Sequence, residues 1–329
     1  MTKLLILVHH RFDLWRVPGW FILKLGQEFP ELKIVHFEKY EDAAQDLTDC
    51  EIAFTISLRP EQFVSARKLR WIHAPSAAVH QFLFPQLVHS DVILTNSSEV
   101  HGPVVAEHVI ALIFALAKKI PQAVRAQQDR VWAQEAIWTN RPKPREIAGA
   151  TLGLIGVGSI GHHVAKMASA IGMRVMAVRE HPDREKPEGV DSVLPTSAID
   201  TLLGQSDFVA MSVPLTPETR GLMNAERFAK MRPGAYLINV GRGPQVDELT
   251  LEHALRNHQI AGAALDVFDK EPLPPDSPLW RLDNLLITPH TAGMTEKLWQ
   301  RHYELFSANL RRYFAGEPLE YVVNKEKGY

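Results

Sequence analysis

Short apolar runs alternate with helix-like stretches along almost the whole chain. Within the first hundred residues the runs LLILV, KIVHF, EIAFTI, LRWIHA and VILTN recur at a regular interval, the last ending at Asn96. That rhythm implies a parallel sheet with crossover helices. It then pauses at HGPVVAEHVIALIFALAKK, which predicts a long helix opened by Gly102 and Pro103, proline being well placed in a first helical turn. Its apolar residues, among them Val104, Val109, Leu112, Ile113 and Leu116, cover more than one face, so burial on several sides is expected, against a domain or a second subunit. The stretch from Pro121 to Arg145, with Trp132, Trp138 and the run RPKPR, reads as an irregular, exposed arm. The rhythm restarts with TLGLIGVG and continues through RVMAVR, DFVAMSV, AYLINV, IAGAALDV and LLITPH, spaced as in a second doubly wound sheet. A terminal helix, roughly Thr295 to Phe314, is expected after Pro289.

One turn in the second half carries a specific chemical signal. Gly156, Gly158 and Gly161, with Ser159 and Ile160 between them, follow the strand-like TLGLI and precede the helix-like HHVAKMASAIG. This is the strand, turn and helix context of a dinucleotide site, in which the first glycine permits the tight turn and the second admits the pyrophosphate. The third lets helix pack on strand, and helix N-terminal amides meet the phosphate charge. The competing reading is a plain βα turn, or the similar glycine loop of a methyltransferase. A carboxylate at the end of the next strand would select NAD by bonding the ribose 2′-hydroxyl. Here Arg179 stands in that place, and a guanidinium suits a 2′-phosphate, so NADP(H) is favoured, with NAD(H) admitted through the adjacent Glu180.

Composition narrows the class without changing this picture. With 329 residues the chain exceeds the usual span of one core, and 46% hydrophobic with 22% charged residues is ordinary for a globular protein. The formal net charge of -2, with Lys and Arg scattered, points away from nucleic acid and anionic membranes and towards small ligands. The lone Cys50 reads as a buried structural thiol, as suits a reducing cytosol. The apolar run Leu4 to Val8 reads as a first strand rather than a signal peptide. Val109 to Ala117 is about half of the roughly 20 residues that span a bilayer, so a cytoplasmic, soluble protein is expected.

Hydride transfer to a carbonyl leaves negative charge on oxygen, which calls for a proton donor and a fixed cation. Three late segments offer candidates at strand ends: Arg242 in INVGRGPQVDE, Glu271 in ALDVFDKEPLP and His290 in ITPHTAG. Taken singly, Arg242 reads as a surface ion-pair residue and His290 as a loop histidine. Together with LTNSSEVHGPVVAEHV, GLIGVGSIG and SVPLTPETRGLMN, these segments resemble, in order and over nearly the whole chain, the D-isomer-specific 2-hydroxyacid dehydrogenase family, in its glyoxylate/hydroxypyruvate reductase-like branch. The resemblance implies that Arg242 holds the substrate carboxylate and carbonyl oxygen, that His290 is the acid/base and that Glu271 hydrogen-bonds it. A carboxylate beside an imidazole favours the charged ring and keeps a proton available for ketoacid reduction.

The same resemblance places Pro214, Thr219, Val240, Gly241 and Asp266 along the cofactor, Asp266 near the carboxamide, and likens HAPSAAVHQF to a substrate-carboxylate loop, with Ala77 and Ala78 at the substrate. Ala78 stands where glycine is usual there, His80 where aspartate is usual, and Glu99 where glycine is frequent. The implied architecture is two doubly wound α/β domains, flavodoxin-like and Rossmann. A substrate domain of residues 1–98 and 291–329 is interrupted by a nucleotide-binding domain, 99–290, that carries a dimerisation helix and arm at 101–145, with the active site in the cleft between them. A homodimer is expected, in which Trp138 reaches the partner's substrate site, although plain interface packing is the stronger reading. His101 and His108, seven apart, read as packing or capping residues rather than a metal pair, and His162 and His163 as neighbours of phosphate or solvent. Two rivals stand beside this reading: a formate-acting relative, disfavoured because that branch has glutamine where Glu271 stands, and a nucleotide-sensing corepressor or binding protein.

Overall fold

Strands β1 (Thr2–Leu7), β2 (Leu32–Phe37), β3 (Ile52–Thr55), β4 (Trp71–Ala74) and β5 (Ile93–Asn96) form a parallel sheet in the order β2-β1-β3-β4-β5. Strands β6 (Thr151–Ile155), β7 (Arg174–Arg179), β8 (Ser192–Pro195), β9 (Phe208–Met211), β10 (Tyr236–Asn239), β11 (Gly262–Leu265) and β12 (Leu285–Ile287) form a second, ordered β12-β11-β10-β9-β6-β7-β8. The computed structural model describes residues 1–39 and 43–328, and the chain divides into Met1–His101 with Met294–Tyr329, and Gly102–Gly293. Both sheets are doubly wound and parallel throughout, the first flavodoxin-like and the second of the Rossmann order. Parallel strands are covered on both faces, which is why TLGLI, FVAM and YLIN are continuous apolar runs buried at every position.

Each sheet has a core on either face. In the first unit one face gathers Leu4, Ile6, Ile52, Phe54 and Trp71 under Tyr303, Phe306 and Leu310 of the terminal helix Leu298–Ala315, so the chain's last helix returns to its first sheet. Cys50 is buried on the other face, where burial pushes its thiol up to about 12 and keeps it protonated. In the second unit the helix Ser98–Ala117 contributes Val104, Val105, Val109, Leu112, Ile113 and Leu116 to the core over Leu152 and Leu154.

Several elements differ from the sequence reading. The long helix begins at Ser98, and Pro103 lies inside it. Asn96 Oδ1 accepts the Ser98 N–H at 3.2 Å, so a side chain seven residues before Pro103 opens the helix that the proline had seemed to open. At 20 residues and mean hydropathy 1.8 this helix is long and apolar enough to cross a bilayer, unlike its uninterrupted apolar run, but half of it is buried inside the protein. The arm is not irregular: helices Ile120–Gln128 and Gln134–Thr139 occupy most of it. Pro121 sits in the first turn of Ile120–Gln128, where its missing N–H costs nothing. The edge strand β8 was not anticipated, because SVLP is only half-buried and carries no apolar run.

The first unit contains a buried polar chain. Thr95 Oγ1 accepts from Trp71 Nε1 at 2.8 Å and meets His73 Nδ1 at 2.8 Å, while His73 Nε2 and His302 Nδ1 lie 3.0 and 3.1 Å from Ser97 Oγ. Burial holds the His73 ring down at about 3 and lowers His302 as well. Both therefore stay neutral in the folded protein but take up a proton below about 6.5 when it unfolds. This contribution to stability is full above that pH and falls as pH drops below 6.5, approaching about 1.4 kcal/mol per pH unit for each histidine, and for His73 the fall continues towards 3. Urea unfolding between pH 7.5 and 5 should show this slope, reduced by about one proton in His302→Asn; an unchanged slope in the variant would contradict it.

Candidate active site

The glycine turn lies at the switch point of the second sheet, after β6, whose neighbours β7 and β9 run off in opposite directions. Gly156 has φ +94°, and a Cβ there would overlap the Val213 side chain; a Cβ on Gly161 would overlap the Gly156 carbonyl. Gly158 differs, because a Cβ there meets nothing within 4 Å, which leaves open space over the turn. It is the N-cap of helix Ser159–Ala170 and caps it with no side chain, so the first amides, at Ser159, Ile160 and Gly161, are left for another acceptor. The Ser159 hydroxyl is also buried without a partner among the described residues. Open space, free amides and a helix N-terminus fit the pyrophosphate of a dinucleotide. His162 and His163 start the same helix, their rings 5.7 Å apart.

Arg179 closes β7 but is already engaged. Its Nη2 donates to the carbonyls of Pro182, Arg184 and Glu185, ordering the following loop, and its Nε is buried without a partner among the described residues. Across the turn, Thr219 Oγ1 donates to the Pro214 carbonyl at 2.7 Å and accepts from Thr216 N–H at 2.8 Å, folding 214–219 onto itself.

Arg242 follows β10 through Val240 and Gly241. Its half-buried guanidinium donates to the Gly241 carbonyl at 2.6 Å and, among the described residues, forms no ion pair. Burial lowers its pKa, opposed by the nearby Glu271 charge, and the group remains a cation with capacity for an anion. Gln245, fully buried and absent from the sequence reading, positions this segment: its Oε1 accepts from Arg242 N–H at 2.8 Å, and its Nε2 donates to the carbonyls of Val213 and Pro214 at 2.9 and 3.0 Å. Asn239, also buried, accepts from Gly241 N–H and donates to the Arg242 carbonyl. A Cβ on Gly243 would overlap the backbone of Phe268 and Asp269, so the Arg242 turn packs directly on the loop that carries Glu271.

Glu271 and His290 are brought together. Glu271 Oε2 lies 2.6 Å from His290 Nδ1, while its Oε1 accepts from Phe268 N–H at 2.9 Å, which fixes the carboxylate from both sides. The His290 side chain is 52% exposed and its Nε2 has no protein partner among the described residues, so that nitrogen is available to a substrate. The backbone there is strained, at φ +53°, and is held by donation to the carbonyls of Asp266 and Thr288 at 2.9 and 3.0 Å.

Asp266 builds the loop that presents His290. It is 1% exposed; Oδ1 accepts from Thr288 Oγ1 at 2.6 Å and Thr291 N–H at 2.9 Å, and Oδ2 from Ala292 N–H at 3.0 Å. His108 Nε2 adds a contact to Thr288 Oγ1 at 3.1 Å, and burial lowers its pKa against the Asp266 charge. His101 instead packs on Trp15 and His302. Nothing in the residue pattern announced this network, whose partners are up to 180 positions apart.

In the first unit Ser76 Oγ donates to the Ala78 carbonyl at 2.7 Å, and Asn96 Nδ2 to that of Ala77 at 3.1 Å, so both alanines sit in a tied loop after β4. In the arm Trp138 is 57% exposed, with Lys143 Nζ 4.1 Å from its ring centroid.

A profile of the family described as D-isomer specific 2-hydroxyacid dehydrogenase, NAD binding domain, matches residues 110–292. The chain belongs to this family. A glyoxylate reductase of Thermofilum pendens is 37% identical over 83% of this chain and 80% of its own. The solved D-isomer specific 2-hydroxyacid dehydrogenase of Xanthobacter autotrophicus Py2, in complex with NADPH and MES, superposes with a TM-score of 0.84 at 32% identity, covering 100% of both chains. An NADPH-dependent glyoxylate/hydroxypyruvate reductase of Sinorhizobium meliloti, in complex with NADP and sulfate, gives 0.83 at 26% identity, again over 100% of both. As a 2-hydroxyacid dehydrogenase the chain is an NAD(P)-dependent oxidoreductase, glyoxylate reductase-like, with a Rossmann sheet.

Proposed function

We propose that this 2-hydroxyacid dehydrogenase is a reductase of small 2-ketoacids of the glyoxylate or hydroxypyruvate kind, with His290 as acid/base and Arg242 as carboxylate anchor. The observation that carries the proposal is the 2.6 Å contact between Glu271 and His290, which leaves Nε2 of an exposed ring without a partner among the described residues, on the same sheet edge as a half-buried guanidinium that forms no ion pair among them. The nicotinamide, when bound, supplies the hydride in reduction and accepts it in oxidation. Arg242 binds the substrate carboxylate and keeps its positive charge near the carbonyl oxygen, where negative charge develops. Protonated His290 gives its Nε2 proton to that oxygen, while Glu271 holds Nδ1–H and compensates the ring's charge until the proton leaves. In oxidation the neutral ring takes the hydroxyl proton at the same nitrogen. Ala77 and Ala78, in their tied loop, belong to a substrate-binding loop, and Asp266 acts by holding the His290 loop as well as lying along the cofactor.

The turn from Gly156 to Gly161, with Pro214, Thr219, Val240 and Gly241, forms the cofactor surface, and Arg179 favours NADP(H) over NAD(H). The reading for Arg179 is supported by its place at the end of β7 and by the loop of 180–186 that it orders through three carbonyls. Arg179→Ala should lower kcat/KM for NADPH by about tenfold or more with little change for NADH. An equal loss with both would assign Arg179 to loop order alone. The protein acts as a homodimer, a reading supported by the apolar side chains that the arm exposes: Ile120, Val124, Val131, Trp132 and Trp138.

The test is a panel of 2-ketoacids assayed with NADPH and NADH. Turnover concentrated on glyoxylate or hydroxypyruvate with NADPH supports the proposal, and turnover confined to larger ketoacids rejects the substrate class. Binding of cofactor without any turnover favours the sensor reading instead.

A further inference from the structure

The strand ends opposite the proposed catalytic residues carry positive charge that ketoacid reduction does not use. Arg242, Glu271 and His290 follow the C-terminal ends of β10, β11 and β12, whereas Gly234 precedes β10 and Ala261 precedes β11. Against those starts, the segment leaving the arm forms a cleft of about 550 Å³ lined by Arg141, Lys143, Arg145 and His258, with Gly234 and Ala261 among its walls. A volume of this order is that of a small-molecule site. No carboxylate lines it among the described residues. Arg145 reaches Asp207 at 3.4 Å, but that carboxylate is shared with Arg232 at 3.1 Å and with the Thr151 N–H at 2.9 Å.

Two further features belong to the same place. Lys119 is only 8% exposed, yet its ammonium donates to a neutral partner, the Tyr236 hydroxyl at 3.1 Å, and forms no ion pair among the described residues. Burial and the neighbouring Arg145 both lower its pKa, so Lys119 adds a cation to this region that Asp207, already shared by Arg145 and Arg232, does not neutralise. His258 sits beyond helix Glu248–Arg256 at φ +50°, a left-handed position that helices usually give to glycine. An imidazole is retained there at a conformational cost and lines the cleft. Pro142 and Pro144 alternate with the cations and restrict their backbone, so less backbone entropy is lost on binding.

We propose that this cleft is a binding site for a small polyanion, a metabolite carrying phosphate or several carboxylate groups, separate from the cofactor and substrate sites. The forked guanidinium groups of Arg141 and Arg145 suit planar or tetrahedral oxyanions, and Lys143 adds a point charge that retains its stacking on Trp138. A single monovalent ion would leave most of the cations, and most of the volume, unused.

Calorimetric titration tests the site on the full chain in its native assembly, saturated with NADP(H) and held at constant ionic strength. Sodium pyrophosphate and trisodium citrate serve as separate probes for phosphate and carboxylate recognition. Saturable binding of either, one per chain, is expected, weakened about tenfold or more by Arg141→Ala with Lys143→Ala. It should be restored in large part by Arg141→Lys with Lys143→Arg, and should be indifferent to Arg242→Ala. An unchanged melting temperature and cofactor affinity show that the double variant is folded. The proposal is overturned if neither probe saturates, if binding survives the double alanine substitution, or if Arg242→Ala abolishes it. None of these readouts depends on turnover, so the site stands or falls apart from the reductase reading.

Discussion

The His290→Ala protein should retain its fold and its affinity for the nicotinamide cofactor but lose about 10²- to 10⁴-fold in kcat for ketoacid reduction, the usual range for removal of a positioned general acid. Structure and chemistry both lead to this size of effect. The ring is held from one side only, by Glu271 at Nδ1, and is exposed on the other, so its removal unpairs one partly exposed carboxylate and empties no core. The group lost is the one that neutralises the developing alkoxide. Because the proton travels towards substrate in one direction and away in the other, reductive kcat should fall with rising pH while oxidative kcat rises. Identical profiles in both directions would remove His290 from the proton path, whatever the alanine variant does.

Arg242→Ala should cost about 10²- to 10³-fold in kcat/KM for the ketoacid, with KM rising as well as kcat falling, because the same cation binds the carboxylate in the ground state and stabilises oxygen in the transition state. Arg242→Lys should recover only part of this, since an ammonium cannot reproduce the two-pronged guanidinium contact. Cofactor binding is the control that separates the anchoring role from collapse of the turn, which Gln245 and Asn239 hold together with the guanidinium's bond to the Gly241 carbonyl. A variant that lost cofactor affinity and kcat/KM in equal measure would identify Arg242 as a scaffold residue.

What could be read from the chain follows from how its elements are stabilised. The buried strands of both sheets announce themselves, because a parallel strand covered on both faces has to be apolar throughout, as in TLGLI and YLIN. The edge strand SVLP is partly solvated and carried no such signal. Proline misled at Pro103, because its meaning depends on where the helix starts, which Asn96 sets; the arm's first helix starts instead from Lys119, in a left-handed conformation. The residues proposed for chemistry were legible as motifs at strand ends. Their supports were not, because Asp266, Thr288 and His108 meet only in three dimensions, and Gln245 looked like one more polar residue in a turn. The interplay of Arg179 with the carbonyls of its own loop was equally invisible, and it makes that arginine a loop organiser as well as a candidate for phosphate recognition.

The most direct measurement is the reaction of the purified protein with hydroxypyruvate and NADPH, followed by loss of reduced cofactor and by chiral analysis of the product. Steady turnover that yields D-glycerate, and that disappears with His290→Ala, is the result predicted. Cofactor binding with no consumption of NADPH or NADH on any 2-ketoacid, or formation of the L product, would contradict the account.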